Sequence, residues 1–142
     1  MAQPKIRLAR KITFSSAHRY FNAAFSEDEN RKIFGSCYTP YGHGHNYDLE
    51  AFFEGKIDSK TGMVINLRDI DIMLKRAVEP LDHHHLNFDV PEFKEVVPTT
   101  ENIAKYCFDK ISAQLGQSGN VRLSQVRLYE GHDLWVDYFG GA

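Results

Sequence analysis

A chain of 142 residues, 42% hydrophobic and 13% aromatic, is long enough to bury one core and too short for two ordinary domains, so residues 1–142 read as a single domain. A formal net charge of -2 and a pI near 6.4 provide no broad field for nucleic acid or an anionic membrane. Two cysteines, Cys37 and Cys107, are too few for a disulfide scaffold and fit a reducing compartment; with no signal-peptide core after residues 1–5 and no stretch of membrane-span length, the expected location is the cytoplasm.

Counting by twos from Ile6 passes Leu8, Ile12, Phe14 and Ser16 and reaches His18, so a first strand ends with an imidazole on a mostly apolar face. Ser26 and Glu29 then have the spacing of a capping box, which predicts a short helix ending near Gly35. This helix lies inside a long connection between His18 and His43, and long connections in compact domains tend to carry function. Cys37 falls on its last approach to His43. Over residues 43–54 the odd positions His43, His45, Tyr47, Leu49, Ala51 and Phe53 share one face, opposed by Asn46, Asp48 and Glu50, which predicts a second strand running towards Gly55.

Lys60-Thr61-Gly62 is a turn signal, after which Asn66 or a neighbour caps a helix with Asp69 in its first turn. Ile70, Met73, Leu74, Ala77, Val78 and Leu81 follow helical spacing up to the stop at Pro80. Pro91 and Pro98 bracket an irregular passage, and Thr99, Thr100 and Glu101 supply the cap and first-turn acid of a helix carrying Ile103, Cys107, Ile111 and Leu115. Gly116 and Gly119 close it. Residues 121–130 alternate as a third long strand, and residues 134–139 form a fourth beyond a turn at Gly131. The order β-β-α-α-β-β predicts an α+β fold, an antiparallel four-stranded sheet with two helices packed on one face.

His43 and His45, two apart on a strand, point to one side and reach one ion, and His18 is the expected third ligand. Three neutral imidazoles without a carboxylate leave one position of a tetrahedral zinc open, the pattern of a catalytic centre. Two other arrangements compete: a closed structural zinc with Cys37 as fourth ligand, and a metal cluster at His83, His84 and His85. In that second arrangement a turn would have to bring all three imidazoles to one ion, so His84 and His85 default to the surface. His132 reads as an exposed turn residue, Cys107 as a small buried hydrophobe, and Tyr20, Phe21, Phe25 and Phe34 as packing. Glu130 taken alone is an ordinary acid at a strand end.

Six blocks in order, Phe14-Ser15-Ser16-Ala17-His18-Arg19, residues 37–47, Thr61-Gly62-Met63-Val64, Leu81-Asp82-His83, Thr99-Thr100-Glu101-Asn102 and Tyr129-Glu130, resemble the 6-pyruvoyl-tetrahydropterin synthase family of the tunnelling fold. The resemblance runs over residues 12–135. It implies that His18, His43 and His45 bind zinc (Zn2+), that Cys37 is the catalytic base, that Asp82 and His83 form a supporting dyad, and that Glu130, with Thr99, Thr100 and Glu101, contacts the pterin. It further implies a homohexamer built as a dimer of trimers, in which Cys37 and the dyad meet only between chains. The reaction implied turns 7,8-dihydroneopterin triphosphate into 6-pyruvoyl-tetrahydropterin and triphosphate.

Three rival readings remain. The 6-carboxy-tetrahydropterin synthases of queuosine synthesis commonly resemble Cys-x3-His-Gly-His, whereas five residues separate Cys37 from His43, as in pyruvoyl-forming members. Retro-aldol cleavage of the dihydroneopterin side chain uses a similar zinc and base, and a non-catalytic zinc or pterin-binding protein would use the same ligands without turnover. Gly131-His132 after Glu130 and the extra His84-His85 depart from the family pattern and bear on side-chain specificity.

Overall fold

The two alternating segments pair along their whole length: β1 (Ile6–His18) runs antiparallel to β2 (His43–Gly55), with Ile6 opposite Gly55 and His18 opposite His43. This is seen in a computed structural model that describes residues 6–116 and 119–141. The reading of residues 1–5 therefore lies outside the described residues. Phe14, Tyr47, Leu49, Ala51 and Phe53 all point to the helix-bearing face and are buried, as period-two alternation requires.

Two long helices cover that face. Asn66 caps α2 (Leu67–Val78) by accepting the Arg68 amide, and Thr99 caps α4 (Thr100–Leu115) by accepting the Asn102 amide. Ile70, Leu74, Ile103, Cys107 and Ile111 enter one core with the strands, and Gln114 Nε2 donates to the Met73 carbonyl at 2.9 Å, tying one helix to the other. The loop helix α1 (Glu27–Phe34) has its capping box at Ser26 and Glu29 and ends at Gly35, leading into a 3₁₀ turn over Gly35–Cys37.

The sheet has five strands rather than four, in the order β3 (His84–His85), β1, β2, β4 (Val121–Gly131) and β5 (Leu134–Tyr138), and is mixed rather than purely antiparallel. The additional strand, β3 (His84–His85), lies parallel to β1 through Ser16↔His84 and Ala17↔His85, and a single helical turn, α3 (Leu86–Asp89), follows. Two residues are too few for any periodicity to register. What holds them is tertiary: the His83 amide donates to the Ser15 carbonyl at 2.6 Å, the Ser15 amide donates to Asp82 Oδ1 at 2.9 Å, and Leu86 is anchored in the core.

A second feature hidden from alternation is a β-bulge. β4 (Val121–Gly131) pairs with β2 through Phe53↔Leu123 and then Phe52↔Gln125, leaving Ser124 as the extra residue, its hydroxyl donating to the Phe52 carbonyl. Val121 and Leu123 pack on the core before the bulge; Val126 and Leu128 do so after it. The same shift turns Glu130 to the helix side, where unbroken alternation from Val121 would have sent it to the opposite face. β5 (Leu134–Tyr138) completes the edge.

Leu49 is fully buried at the centre of the β1–β2–β4 face. Leu49→Ala is expected to lower unfolding free energy by about 2–5 kcal/mol, measured as a shift of the urea midpoint at unchanged slope.

Candidate metal centre and active site

The β1–β2 register sets His18 opposite His43 and Ser16 opposite His45, so three imidazoles share the helix-side face at one end of the sheet. Their ring centroids are 4.9–5.2 Å apart. The bulge brings Glu130 to them, and one ligand atom from each of His18, His43, His45 and Glu130 lies within 4.8 Å of every other. The three histidines singled out in the sequence thus come together, whereas Glu130 reads there only as a pterin contact; its position in the ligand group has no signal in the alternation, because the bulge reverses it.

His18 is fully buried, and its Nδ1 lies 2.7 Å from the Pro98 carbonyl. A carbonyl only accepts, so Nδ1 carries the proton and Nε2 keeps its lone pair for an ion. Burial pushes the His18 pKa down to about 4, opposed by the Pro98 carbonyl, so the ring is neutral at neutral pH, the form a metal requires. Burial also lowers His45, with the Glu130 charge acting against it.

His45 Nε2 sits 2.9 Å from Glu130 Oε1. The two atoms are not aligned as donor and acceptor, and Nε2 is buried without a hydrogen-bond partner. A buried nitrogen left unpaired is satisfied by a cation, and three imidazoles with a carboxylate beside them suit a divalent ion such as zinc. The residues therefore fit a bound metal. Thr100, buried in the first turn of α4, donates its hydroxyl to Glu130 Oε2 and fixes the carboxylate. Thr99 spends its oxygen on the helix cap, and Glu101 is exposed.

Cys37 ends the 3₁₀ turn after α1, its carbonyl accepting the Tyr20 amide at 3.0 Å. It lines a 380 Å3 cleft with Thr39, Tyr41 and His43. Among the described residues, the fourth donor that joins the imidazoles is Glu130 and not Cys37, which argues against a closed site of three imidazoles and a thiolate. Both cysteines are free thiols; Cys107, buried in α4, is pushed up to about 12 by burial and is an inert core residue.

Asp82 and His83 meet, with Oδ1 3.0 Å from His83 Nδ1. The Ser15 amide, with the His83 ring behind it, holds the Asp82 carboxyl below its ordinary range. His83 adopts φ 61, and its side chain is 83% exposed. It opens into a 440 Å3 cleft with Ser15, His45, Asn46 and His84. Cys37 and His83 thus line separate clefts of one chain, one walled by His43 and the other by His45.

The alternative metal cluster at residues 83–85 does not form: His84 Nδ1 bonds the Asp82 carbonyl and His85 Nε2 the Tyr41 carbonyl. His132 is exposed. Two tyrosines lie beside the centre: Tyr20, which the sequence reads as packing, and Tyr47, which it places on the strand face without a role. Tyr47 places its hydroxyl 3.3 Å from both His18 ring nitrogens, and Tyr20 lies edge-on to His18 with ring centroids 5.3 Å apart. Tyr47 was legible, since it shares the odd-numbered face with His43 and His45.

An α+β sheet that gathers strand-borne imidazoles and a half-buried carboxylate around one ion-sized space, with a thiol and an exposed imidazole in clefts walled by two of them, defines a candidate metal-centre protein of the tunnelling-fold class. Residues 7–141 match the family described as 6-pyruvoyl tetrahydropterin synthase, and the chain belongs to that family. It is 43% identical over 135 residues to the 6-pyruvoyl tetrahydrobiopterin synthase of Pongo abelii, covering 94% of this chain and 91% of that one. The Homo sapiens protein of the same name is 42% identical over the same length. The solved structure of Caenorhabditis elegans 6-pyruvoyl tetrahydropterin synthase superposes with a TM-score of 0.92 at 32% identity, covering 99% of each chain.

The buried neutral His18 has a measurable consequence in metal-free protein. The unfolded chain binds a proton at this residue near pH 6.5, whereas the folded chain does so only near 4. Stability from this group is therefore complete above about pH 6.5 and is lost progressively as pH falls to about 4, by on the order of 2–3 kcal/mol. Urea midpoints of the wild type and His18→Gln should converge across that interval; a constant difference would contradict a neutral buried ring.

Proposed function

We propose that this protein is a zinc-dependent lyase that converts 7,8-dihydroneopterin triphosphate to 6-pyruvoyl-tetrahydropterin with release of triphosphate. The observation that carries the reading is the convergence of His18, His43, His45 and Glu130 in a chain of this family, with Cys37 and His83 in the clefts beside two of the ligands. The transformation is internally balanced: side-chain carbons are oxidised as the pterin ring is reduced, and triphosphate departs as the leaving group.

Zinc held by His18, His43 and His45 supplies a Lewis acid that makes a carbon-bound side-chain proton more acidic. Cys37 as thiolate takes that proton. His83 carries protons between side-chain positions while Asp82, 3.0 Å from its Nδ1, orients its ring. Glu130, with one oxygen anchored by Thr100, offers its other oxygen to pterin N–H donors. Of the two neighbours the resemblance adds as pterin contacts, Glu101 is exposed and free to reach a ligand, while Thr99 acts through the helix cap that sets Thr100. The separate clefts of Cys37 and His83 support an active site finished by neighbouring chains, as in a homohexamer built from two trimers. Nothing in the net charge points to nucleic acid, and among the described residues no helix is long and apolar enough to cross a membrane; a cytoplasmic location fits the two free thiols.

Mass analysis of products after incubating zinc-loaded protein with 7,8-dihydroneopterin triphosphate and no reductant tests the reading. A three-carbon pyruvoyl side chain with free triphosphate is the expected product. A carboxy product would assign queuosine synthesis, a hydroxymethyl product would assign aldol cleavage, and no turnover would leave a binding protein.

The roles separate by variant. Cys37→Ala should retain zinc and lose turnover by about 100-fold or more, His43→Ala should lose zinc, and Asp82→Ala or His83→Ala should slow turnover at near-normal zinc content. Metal analysis and single-turnover assays on the same preparations read both quantities, and a normal rate in either dyad variant would remove that pair from the mechanism.

A further inference from the structure

We propose that His85 is a positioning residue for the metal centre: its Nε2–H holds the Tyr41 carbonyl and thereby fixes the Thr39–Gly42 turn that delivers His43 to the ligand group. This rests on the metal reading given above. By sequence His85 defaults to the surface, yet its ring is half-buried, stacked on Phe88 with centroids 4.3 Å apart. Its main-chain amide donates to Asp89 Oδ2 at 2.9 Å, which fixes the residue in β3.

The contact that matters joins segments 44 residues apart. His85 Nε2 lies 3.0 Å from the Tyr41 carbonyl oxygen, and because that oxygen only accepts, Nε2 carries the proton. The remaining nitrogen, Nδ1, is buried without a partner. The ring is thus held by one directed bond and its stacking rather than by a network of its own. β3 lies on one side of β1 and β2 on the other, so the bond arches over the end of β1 at His18 and ties β3 to the entry of β2.

What it grips is narrow. Gly42 has φ +80, and a Cβ there would collide with the His18 carbonyl and stand 2.9 Å from His85 Nε2. The turn's own bond runs from the Gly42 amide to the Thr39 carbonyl, 3.2 Å, and the Tyr41 side chain is 87% exposed and anchors nothing. Two side chains hold the turn from outside: Arg19 Nη1, 3.1 Å from the Pro40 carbonyl, and His85. The next residue is the ligand His43, and Thr39, Tyr41 and Gly42 wall the Cys37 cleft. Loosening Tyr41 therefore moves a metal ligand and the thiol's surroundings together.

Three variants separate the hydrogen bond from packing. His85→Phe keeps an aromatic ring for Phe88 and deletes the donor; His85→Gln places a carboxamide N–H near the position of Nε2–H and deletes the ring; His84→Ala removes the exposed neighbour. In zinc competition against a chelator, His85→Phe should bind on the order of tenfold more weakly, His85→Gln should recover most of that loss, and His84→Ala should match the wild type. Urea midpoints establish that each variant is folded. Wild-type affinity in His85→Phe, or equal loss in His85→Gln, overturns the proposal. Imidazole nitrogen NMR of metal-free wild type gives an independent reading: a neutral Nε2–H tautomer at His85 is expected, and Nδ1–H overturns it. If wild type binds no zinc, the metal reading itself fails, while the tautomer still decides the Tyr41 contact.

Discussion

Thirteen consecutive residue pairs join β1 to β2, and the site depends on the register they set. Side chains alternate with period two, so a slip of one residue would carry His43, His45 and Tyr47 away from His18 and expose Leu49 and Phe53 in the same motion. The apolar positions that make the core are the continuation of the strand face that makes the metal centre. Burial of Phe14, Tyr47, Leu49 and Phe53 thus enforces the placement of imidazoles that gain nothing from the core themselves.

Burial also sets the chemistry. His18 is neutral because desolvation penalises its charged form, and the Pro98 carbonyl decides which nitrogen keeps the lone pair. Glu130 sits beside these rings with one oxygen fixed by Thr100 and the other beside an unpaired nitrogen of His45. A carboxylate and three imidazoles with their donor atoms this close form a group that fits a cation. The core helix α4 supplies Thr100 at its first turn, so helix packing and carboxylate orientation are one arrangement.

The edges of the site are built differently. Asp82, His83 and His85 belong to a short segment clamped against β1 by backbone bonds to Ser15, and the thiol lies in the long connection that α1 and its 3₁₀ turn bring back to β2. These pieces have little core of their own; Leu86 and the Asn87 bonds to the Arg19 backbone anchor one, and the Cys37 carbonyl bond to Tyr20 anchors the other. Local anchoring of loops on a rigid sheet leaves reactive side chains accessible in clefts while the ligands stay fixed.

By itself the sequence determined the two long strands, the capped helices and the histidine trio, because period-two and helical spacing, Ser26, Asn66 and Thr99 act over a few neighbouring residues. The six blocks pointed to the family that residues 7–141 match. Only the tertiary structure decided β3, whose two residues are held by Ser15 and Leu86 rather than by any pattern of their own, and the bond from His85 to Tyr41. It alone decided, too, that Glu130 joins the imidazoles. That placement follows from one extra residue at Ser124, whose effect on facing exists only when β4 is laid against β2, since a bulge is a property of two strands in register and not of either strand alone.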